Sequence, residues 1–337
     1  MSRLLIAIML AVIAFGGNTH SSLAQDDGSS IESAVEPGEV GVVDDFDVTI
    51  RDVDMDAENA ILDANSGNVE PEDGYQYVLI DVEVEYTGTE TGDAGFGLTF
   101  KSVGSSGIGY VSYLASCGYL DSDQLNAGEL EPGETAEFTV CWSVPEEEVD
   151  SLIVYVVPLF SDDESGTVWF SIGNDAPEFD IPEIGDDVVT GNSNKDAVEF
   201  GGSGQVGDYL VSVVDVKADA TDLIMNANSF NEEPKSGNQF FLVRVAVTYV
   251  GDEIGNPAWE MSYISIGDSD IEYTTYDNSC GVIPTGEFSV DDVFPGTEVE
   301  YNVCWQIDSE DEDSLVLRVE NFLDFDDDPV WFSLAEE

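Results

Sequence analysis

The chain has 337 residues and carries 72 Asp plus Glu against 8 Lys plus Arg, a formal net charge of −64 at pH 7. Such a field repels nucleic-acid phosphates and anionic membrane surfaces, so neither is expected as a partner. Hydrophobic residues make up 42% of the chain, which excludes a disordered acidic tail and predicts a folded protein with a strongly solvated surface.

The first segment reads as a secretory signal over residues 1–24. Arg3 supplies a positive start, residues 4–15 are apolar, and Ser22-Leu23-Ala24 offers small residues for cleavage before Gln25. The apolar run is shorter than the roughly 20 residues of a membrane span, so no membrane insertion is expected after cleavage; an uncleaved anchor is the rival reading. The single histidine, His20, falls inside this signal. A mature chain without histidine excludes Ser-His-Asp and Cys-His nucleophiles, histidine bases and histidine-bound zinc.

Residues 25–39 read as a flexible lead-in. From there two copies follow at a constant offset of 163: residues 45–53 parallel 208–216, Cys117-Gly118 parallels Cys280-Gly281, Pro132-Gly133 parallels Pro295-Gly296, and Cys141-Trp142 parallels Cys304-Trp305. The expected domains are 40–173 and 201–337. Between them, 174–200 carries Pro177, Pro182, Gly185 and Gly191 among many acids and reads as an acidic linker.

Within each copy the apolar period is two. Val78, Ile80, Val82, Val84 and Tyr86 share one face; Phe241, Val243, Val245, Val247 and Tyr249 do the same in the second copy. Ala136, Phe138, Val140 and Trp142 alternate with Thr135, Glu137, Thr139 and Cys141. Turn signals such as Glu131-Pro132-Gly133-Glu134 separate the runs. About seven short strands per copy predict two tandem immunoglobulin-like β-sandwiches, an all-β fold.

Four cysteines allow three pairings. The repeat favours Cys117 with Cys141 and Cys280 with Cys304, each 24 apart. Such a bridge is expected to contribute roughly 3–4 kcal/mol through loop closure. Parity sets Cys141 and Cys304 opposite Trp142 and Trp305, so each bridge belongs on the outer face of its strand. No Cys-x-x-Cys motif points to redox chemistry.

Four features could host chemistry. The Asn-rich segment 65–74, repeated at 228–237, reads as an ordered turn, with a ligand loop as the alternative. Asp52, Asp54 and Asp56 alternate, and oxygen clusters can hold calcium, but Lys217 replaces the central acid between Asp215 and Asp219. Asp324, Asp326, Asp327 and Asp328 form another acidic cluster. Trp142, Trp169, Trp305 and Trp331 could stack on sugars, but their strand positions favour core packing. Paired carboxylates for glycoside hydrolysis have no legible spacing here. No catalytic, metal or cofactor residue is assigned.

The Asn-x-x-Asn-x-x-Pro-x-x-Gly segment, the alternating strand after it, the Pro-Gly turn and the Cys-Trp strand resemble the telokin-like immunoglobulin modules of secreted bacterial proteins, a group that includes an immunoprotective extracellular antigen. The resemblance spans both copies. It implies a β-sandwich in an extracellular setting and carries over no catalytic residue. The expected function is a secreted, non-enzymatic binding module for an extracellular protein or glycan. A calcium- or salt-dependent adhesive protein is the alternative, and a carboxylate-dependent hydrolase a distant one.

Overall fold

Alternation at period two makes each copy fold as two facing four-stranded antiparallel sheets. The computed structural model describes residues 27–159, 166–185, 188–323 and 328–335. The expected signal, His20, Asp324, Asp326 and Asp327 lie outside the described residues. In the first copy the strands are β1 (Gly41–Val43), β2 (Phe46–Asp54), β3 (Tyr75–Tyr86), β4 (Gly92–Asp93), β5 (Leu98–Val103), β6 (Gly109–Val111), β7 (Glu129–Leu130), β8 (Thr135–Pro145), β9 (Ile153–Pro158) and β10 (Val168–Phe170). One sheet runs β1-β2-β3-β8 and the other β10-β9-β5-β6; β4 and β7 form a small ribbon. Short helices α1 (Glu58–Ala64) and α2 (Ala94–Gly97) lie between strands.

The second copy repeats this plan with β11 (Ser203–Val206), β12 (Tyr209–Lys217), β13 (Asn238–Tyr249), β14 (Met261–Ile266), β15 (Glu272–Thr274), β16 (Glu298–Asp308), β17 (Val316–Asn321) and β18 (Val330–Ser333). Its sheets run β11-β12-β13-β16 and β15-β14-β17-β18, with α3 (Thr221–Ala227) and α4 (Pro257–Glu260) in the places of α1 and α2. The predicted inner faces of β3, β8 and β13 are buried, and Trp142 and Trp305 sit fully enclosed between the sheets. Truncating such a core tryptophan to alanine costs about 3–5 kcal/mol.

Each bridge forms as the parity indicates: Cys117–Cys141 and Cys280–Cys304, both with Cα atoms 5.9 Å apart. The outer face at these points is not open to solvent. Ala57, Ile61, Tyr77 and Leu120 pack around the first bridge, and Ala220, Ile224, Phe240 and Leu242 around the second. The disulfide therefore staples a satellite core beneath α1 or α3.

Three expectations need correction. Residues 27–39 of the expected lead-in (25–39) and residues 188–200 at the end of the expected linker (174–200) belong to the sandwiches. Val35 is buried and donates its N–H to Trp169 O at 2.8 Å; Val198 is buried and donates to Trp331 O at 2.7 Å. Trp169 N and Trp331 N in turn donate to Gly28 O and Gly191 O, each at 2.8 Å. These segments cover the free edges of β10 and β18, which would otherwise expose unpaired backbone groups. Ala34 and Val35 enter neighbouring clusters side by side, and Val198 enters the second core with Phe200 packed against it, stretches too short to show a period.

The second correction concerns Asp52, Asp54 and Asp56. A β-bulge between Ile50 and Asp52 adds Arg51, and the strand ends at Asp54, whose Oδ1 accepts the Asp56 N–H at 3.0 Å. The same bulge recurs between Val213 and Asp215. All three acids are exposed; Asp52 and Asp54 share a face of β2 beyond the bulge, and Asp56 lies past the end of the strand.

The third concerns Trp169, which packs at the junction of the copies. Phe294 of the second copy contacts Trp169, Tyr155 and Phe179, with ring centroids at 5.7, 5.7 and 4.8 Å. Gly109 N donates to Asp292 O at 2.8 Å, and Phe294 N to Gly107 O at 3.0 Å. At the centre, Lys101 Nζ lies 2.7 Å from Asp292 Oδ2 and 3.4 Å from Asp291 Oδ2, and Tyr155 OH donates to Asp292 at 2.8 Å. Burial pulls the Lys101 ammonium down, but the two aspartates outweigh it and hold it above the ordinary lysine value.

In the second copy the ladder Lys101–Tyr155–Trp169 becomes Ile264–Arg318–Trp331. There Arg318 stacks over Trp331 at 5.7 Å and pairs with Glu272. The first copy thus presents a docking face, and the second presents the same face decorated with charge.

Candidate binding clefts beside the disulfides

The loop after β6 is clamped from three sides. The disulfide ties Cys117 to β8. Thr139 N donates to Ser122 O at 2.7 Å, as Asn302 N does to Thr285 O in the second copy. Asn68 Nδ2 donates to Ile61 O at 2.8 Å and Tyr119 O at 2.9 Å, and its Oδ1 accepts from Tyr119 N at 2.8 Å. Asn231 repeats all three bonds with Ile224 and Val282. This explains the Asn-rich segment as a structural clamp. It also explains the glycine after each cysteine: Gly118 has φ +114°, and a Cβ there would lie 2.5 Å from Asn68 Oδ1.

Between this rigid loop and α2 lies a cavity of about 530 Å³. Phe96 comes from α2, Tyr113 and Tyr119 from the disulfide loop, Leu125 from a 3-10 turn at Gln124–Asn126, and Leu159 from the end of β9. Asp93 caps α2 by accepting from Gly95 N and Phe96 N, which fixes the Phe96 wall. Gln124 spans the floor, with Nε2 donating to Leu98 O at 2.7 Å, Ala94 O at 3.2 Å and Gly95 O at 3.4 Å. The two walls are therefore tied together from below.

The same five positions in the second copy hold Trp259, Tyr276, Val282, Phe288 and Phe322. All ten side chains are between 43% and 88% exposed. Val69, Phe230 and Leu114, also exposed, lack this agreement and correspond to Glu232, Gly67 and Asp277. Trp259 and Phe288 stand with ring centroids 5.9 Å apart. Exposing large apolar groups at matched sites has no folding benefit, and such patches mark interaction surfaces.

The floor differs between the copies. Glu287 stands where Gln124 stands, and it is equally buried. Burial pushes its carboxyl up to about 7, against the opposing hydrogen bond from Thr275 and its own backbone. Behind this cleft, Asn256 at the start of α4 donates through Nδ2 to Asp291 Oδ1 at 2.9 Å and Asp292 Oδ1 at 3.3 Å. The Lys101 junction is thus tied to the start of α4, which carries Trp259, and to the segment after Phe288.

Sequence reasoning located the disulfides and the Asn clamp but not the cleft walls. Of the five tryptophans, Trp259 is the one on an exposed wall; Trp142 and Trp305 lie in cores, Trp169 in the junction and Trp331 beneath Arg318. Among the described residues, no three His, Cys, Asp or Glu side chains converge as a metal-binding group, and none of the four tryptophans first considered forms an open platform for sugar.

No protein-family model matches this chain, and no curated protein matches it. Among solved structures it is similar to a conserved hypothetical protein from Bacillus anthracis, at 20% identity over 41% of this chain and 94% of that one, with a TM-score of 0.27. It is also similar to an uncharacterised β-sandwich protein from Clostridium difficile 630, at 15% identity over 41% of this chain and 93% of that one, with a TM-score of 0.27. The yjhA protein from Bacillus subtilis is similar at 13% identity over 39% of this chain and 86% of that one, with a TM-score of 0.24. Each likeness covers less than half of this chain, and TM-scores this low carry no argument about function. The tandem β-sandwich architecture stands on the strand pairing itself.

Proposed function

We propose that the protein is an extracellular, non-enzymatic binding module of the telokin-like immunoglobulin type, in which each sandwich offers one apolar cleft to a partner polypeptide. The observation that carries this reading is the agreement of five exposed apolar positions in both copies, gathered around a rigid disulfide loop. Burying one such aromatic or leucine side chain against a partner contributes about 1.5–3 kcal/mol. The net charge of −64 selects neutral or cationic partners and rejects anionic ones. Two disulfides support an oxidising compartment, and among the described residues no helix is long and apolar enough to cross a membrane.

The buried junction at Lys101 holds the two clefts at a set distance. A partner engaging both then gains effective concentration without further contacts. The test is titration of a short capped peptide carrying norleucine between two phenylalanines, read by the fluorescence of Trp259. We expect a saturable blue shift that Phe288→Ala weakens. A wild-type response that never saturates, or one that Phe288→Ala leaves unchanged, would overturn the reading.

A further inference from the structure

We propose that the second cleft is specialised for a basic side chain of its partner polypeptide, whose ammonium or guanidinium group sits on the Glu287 carboxylate between the rings of Trp259 and Phe288. This rests on the reading of both clefts as binding sites and names what the second one selects.

Two differences between the copies run in the same direction. The floor changes from Gln124 to Glu287. Gln124 satisfies three backbone carbonyls with its amide N–H groups. An ionised Glu287 has no N–H to donate, so the same position becomes a buried acceptor, next in the chain to the exposed Phe288. Its placement follows from the register: Gln124 and Ser112 line the first cavity, and their counterparts are Glu287 and Thr275, which hydrogen-bond each other.

The walls change as well. Phe96, Leu125 and Leu159 become Trp259, Phe288 and Phe322, while Tyr119 becomes Val282, so four of the five wall positions are aromatic against three in the first copy. Two leucines give way to aromatic rings, and a phenylalanine gives way to tryptophan, the ring with the strongest attraction for a cation. A cation within about 6 Å of such a ring centroid is stabilised by the ring quadrupole. Trp259 and Phe288 are 5.9 Å apart and both exposed, which leaves the rings open to an incoming group.

The protein supplies no cation of its own here. None of the salt bridges among the described residues involves Glu287. The neighbouring acids are already engaged: Glu260 accepts from Tyr209 OH at 2.7 Å and Asn256 N at 2.8 Å, and Asp291 and Asp292 hold Lys101 and Asn256. A buried carboxylate without a salt-bridge partner, next in the chain to the exposed pair of Phe288 with Trp259 and set in a strongly negative field, is complementary to a basic side chain that brings its own apolar stem.

The test uses two capped peptides, one with lysine between two phenylalanines and one with norleucine in its place, at about 0.5 M NaCl to screen the exposed charges. Trp259 fluorescence reports the second cleft. The wild-type protein is expected to bind the lysine peptide about tenfold more tightly than the norleucine peptide. Glu287→Gln, which installs the first copy's residue and is compatible with the fold, is expected to abolish that preference while retaining norleucine binding. Equal binding of the two peptides by wild type, or a lysine preference that survives Glu287→Gln, overturns the inference alone. Failure of both peptides to bind overturns it together with the underlying binding-module reading.

Discussion

Replacing Glu287 with glutamine should stabilise the second sandwich above neutral pH and leave it nearly unchanged in acid. The carboxyl rises from an ordinary 4.5 to about 7 because burial disfavours its charge. The folded state therefore holds this proton more tightly than the unfolded chain does. The associated stability is complete below the unfolded value of 4.5 and is lost as pH rises through about 7. At about 1.4 kcal/mol for each unit, the shift from 4.5 to about 7 corresponds to a cost of about 3 kcal/mol once the group is fully ionised. Tyr263 and Tyr301, which lie near Glu287, are themselves pushed upward by burial and stay neutral across this range. Glutamine escapes the cost and can bridge the walls as Gln124 does. Urea unfolding of the full chain, followed through tryptophan fluorescence from about pH 4 to pH 9, would resolve the difference. A benefit of Glu287→Gln that is constant across this window, or a loss of stability at high pH, would refute the reasoning.

The other perturbations act on the scaffold. Lys101→Met should cost about 3–5 kcal/mol by leaving Asp291 and Asp292 buried without their cation, and residual dipolar couplings should show the two sandwiches losing their fixed orientation. Asn68→Ala removes three hydrogen bonds at the disulfide loop; a loss of about 2–3 kcal/mol is expected, with faster hydrogen exchange at the Tyr119 amide than at Val282 in the intact copy. Replacing Cys280 and Cys304 together by serine should destabilise the second copy by about 3 kcal/mol, measured by urea unfolding, and lower peptide affinity at its cleft.

Much of the architecture was legible because it depends on period and repetition. Val78 to Tyr86 and Phe241 to Tyr249 alternate without interruption, and their faces are buried as that pattern requires. The cysteine parity places each bridge on the outer side of β8 and β16, although the satellite core that covers it gives no periodic signal. Val35 and Val198 escaped notice because the apolar stretches around them, Ala34-Val35 and Val198 with Phe200, are too short to show a period. The bulges at Arg51 and Val214 give no signal in the alternation, and the spacing of Asp52, Asp54 and Asp56 does not show that the strand ends at Asp54, which leaves Asp56 off the shared face.

The clefts were hidden for a related reason. Phe96, Leu125, Trp259 and Phe288 sit on single helical turns, and Tyr113 and Tyr276 on loops, where neither strand nor helix period applies. Their signal is of another kind: apolar identity maintained at the same register in both copies, outside every strand. The junction is written in the opposite way, as disagreement between the copies. Lys101 against Ile264 and Tyr155 against Arg318 separate a face that is covered from one that is not.

The two clefts are corresponding apolar binding surfaces on one rigid scaffold. Backbone amide shift mapping during titration with the norleucine peptide tests this most directly. The account predicts two sites per chain, with perturbations concentrated around Phe96, Tyr113 and Leu125 in one copy and around Trp259, Tyr276 and Phe288 in the other. Shifts scattered over the acidic surface, or confined to residues outside these two clefts, would contradict it.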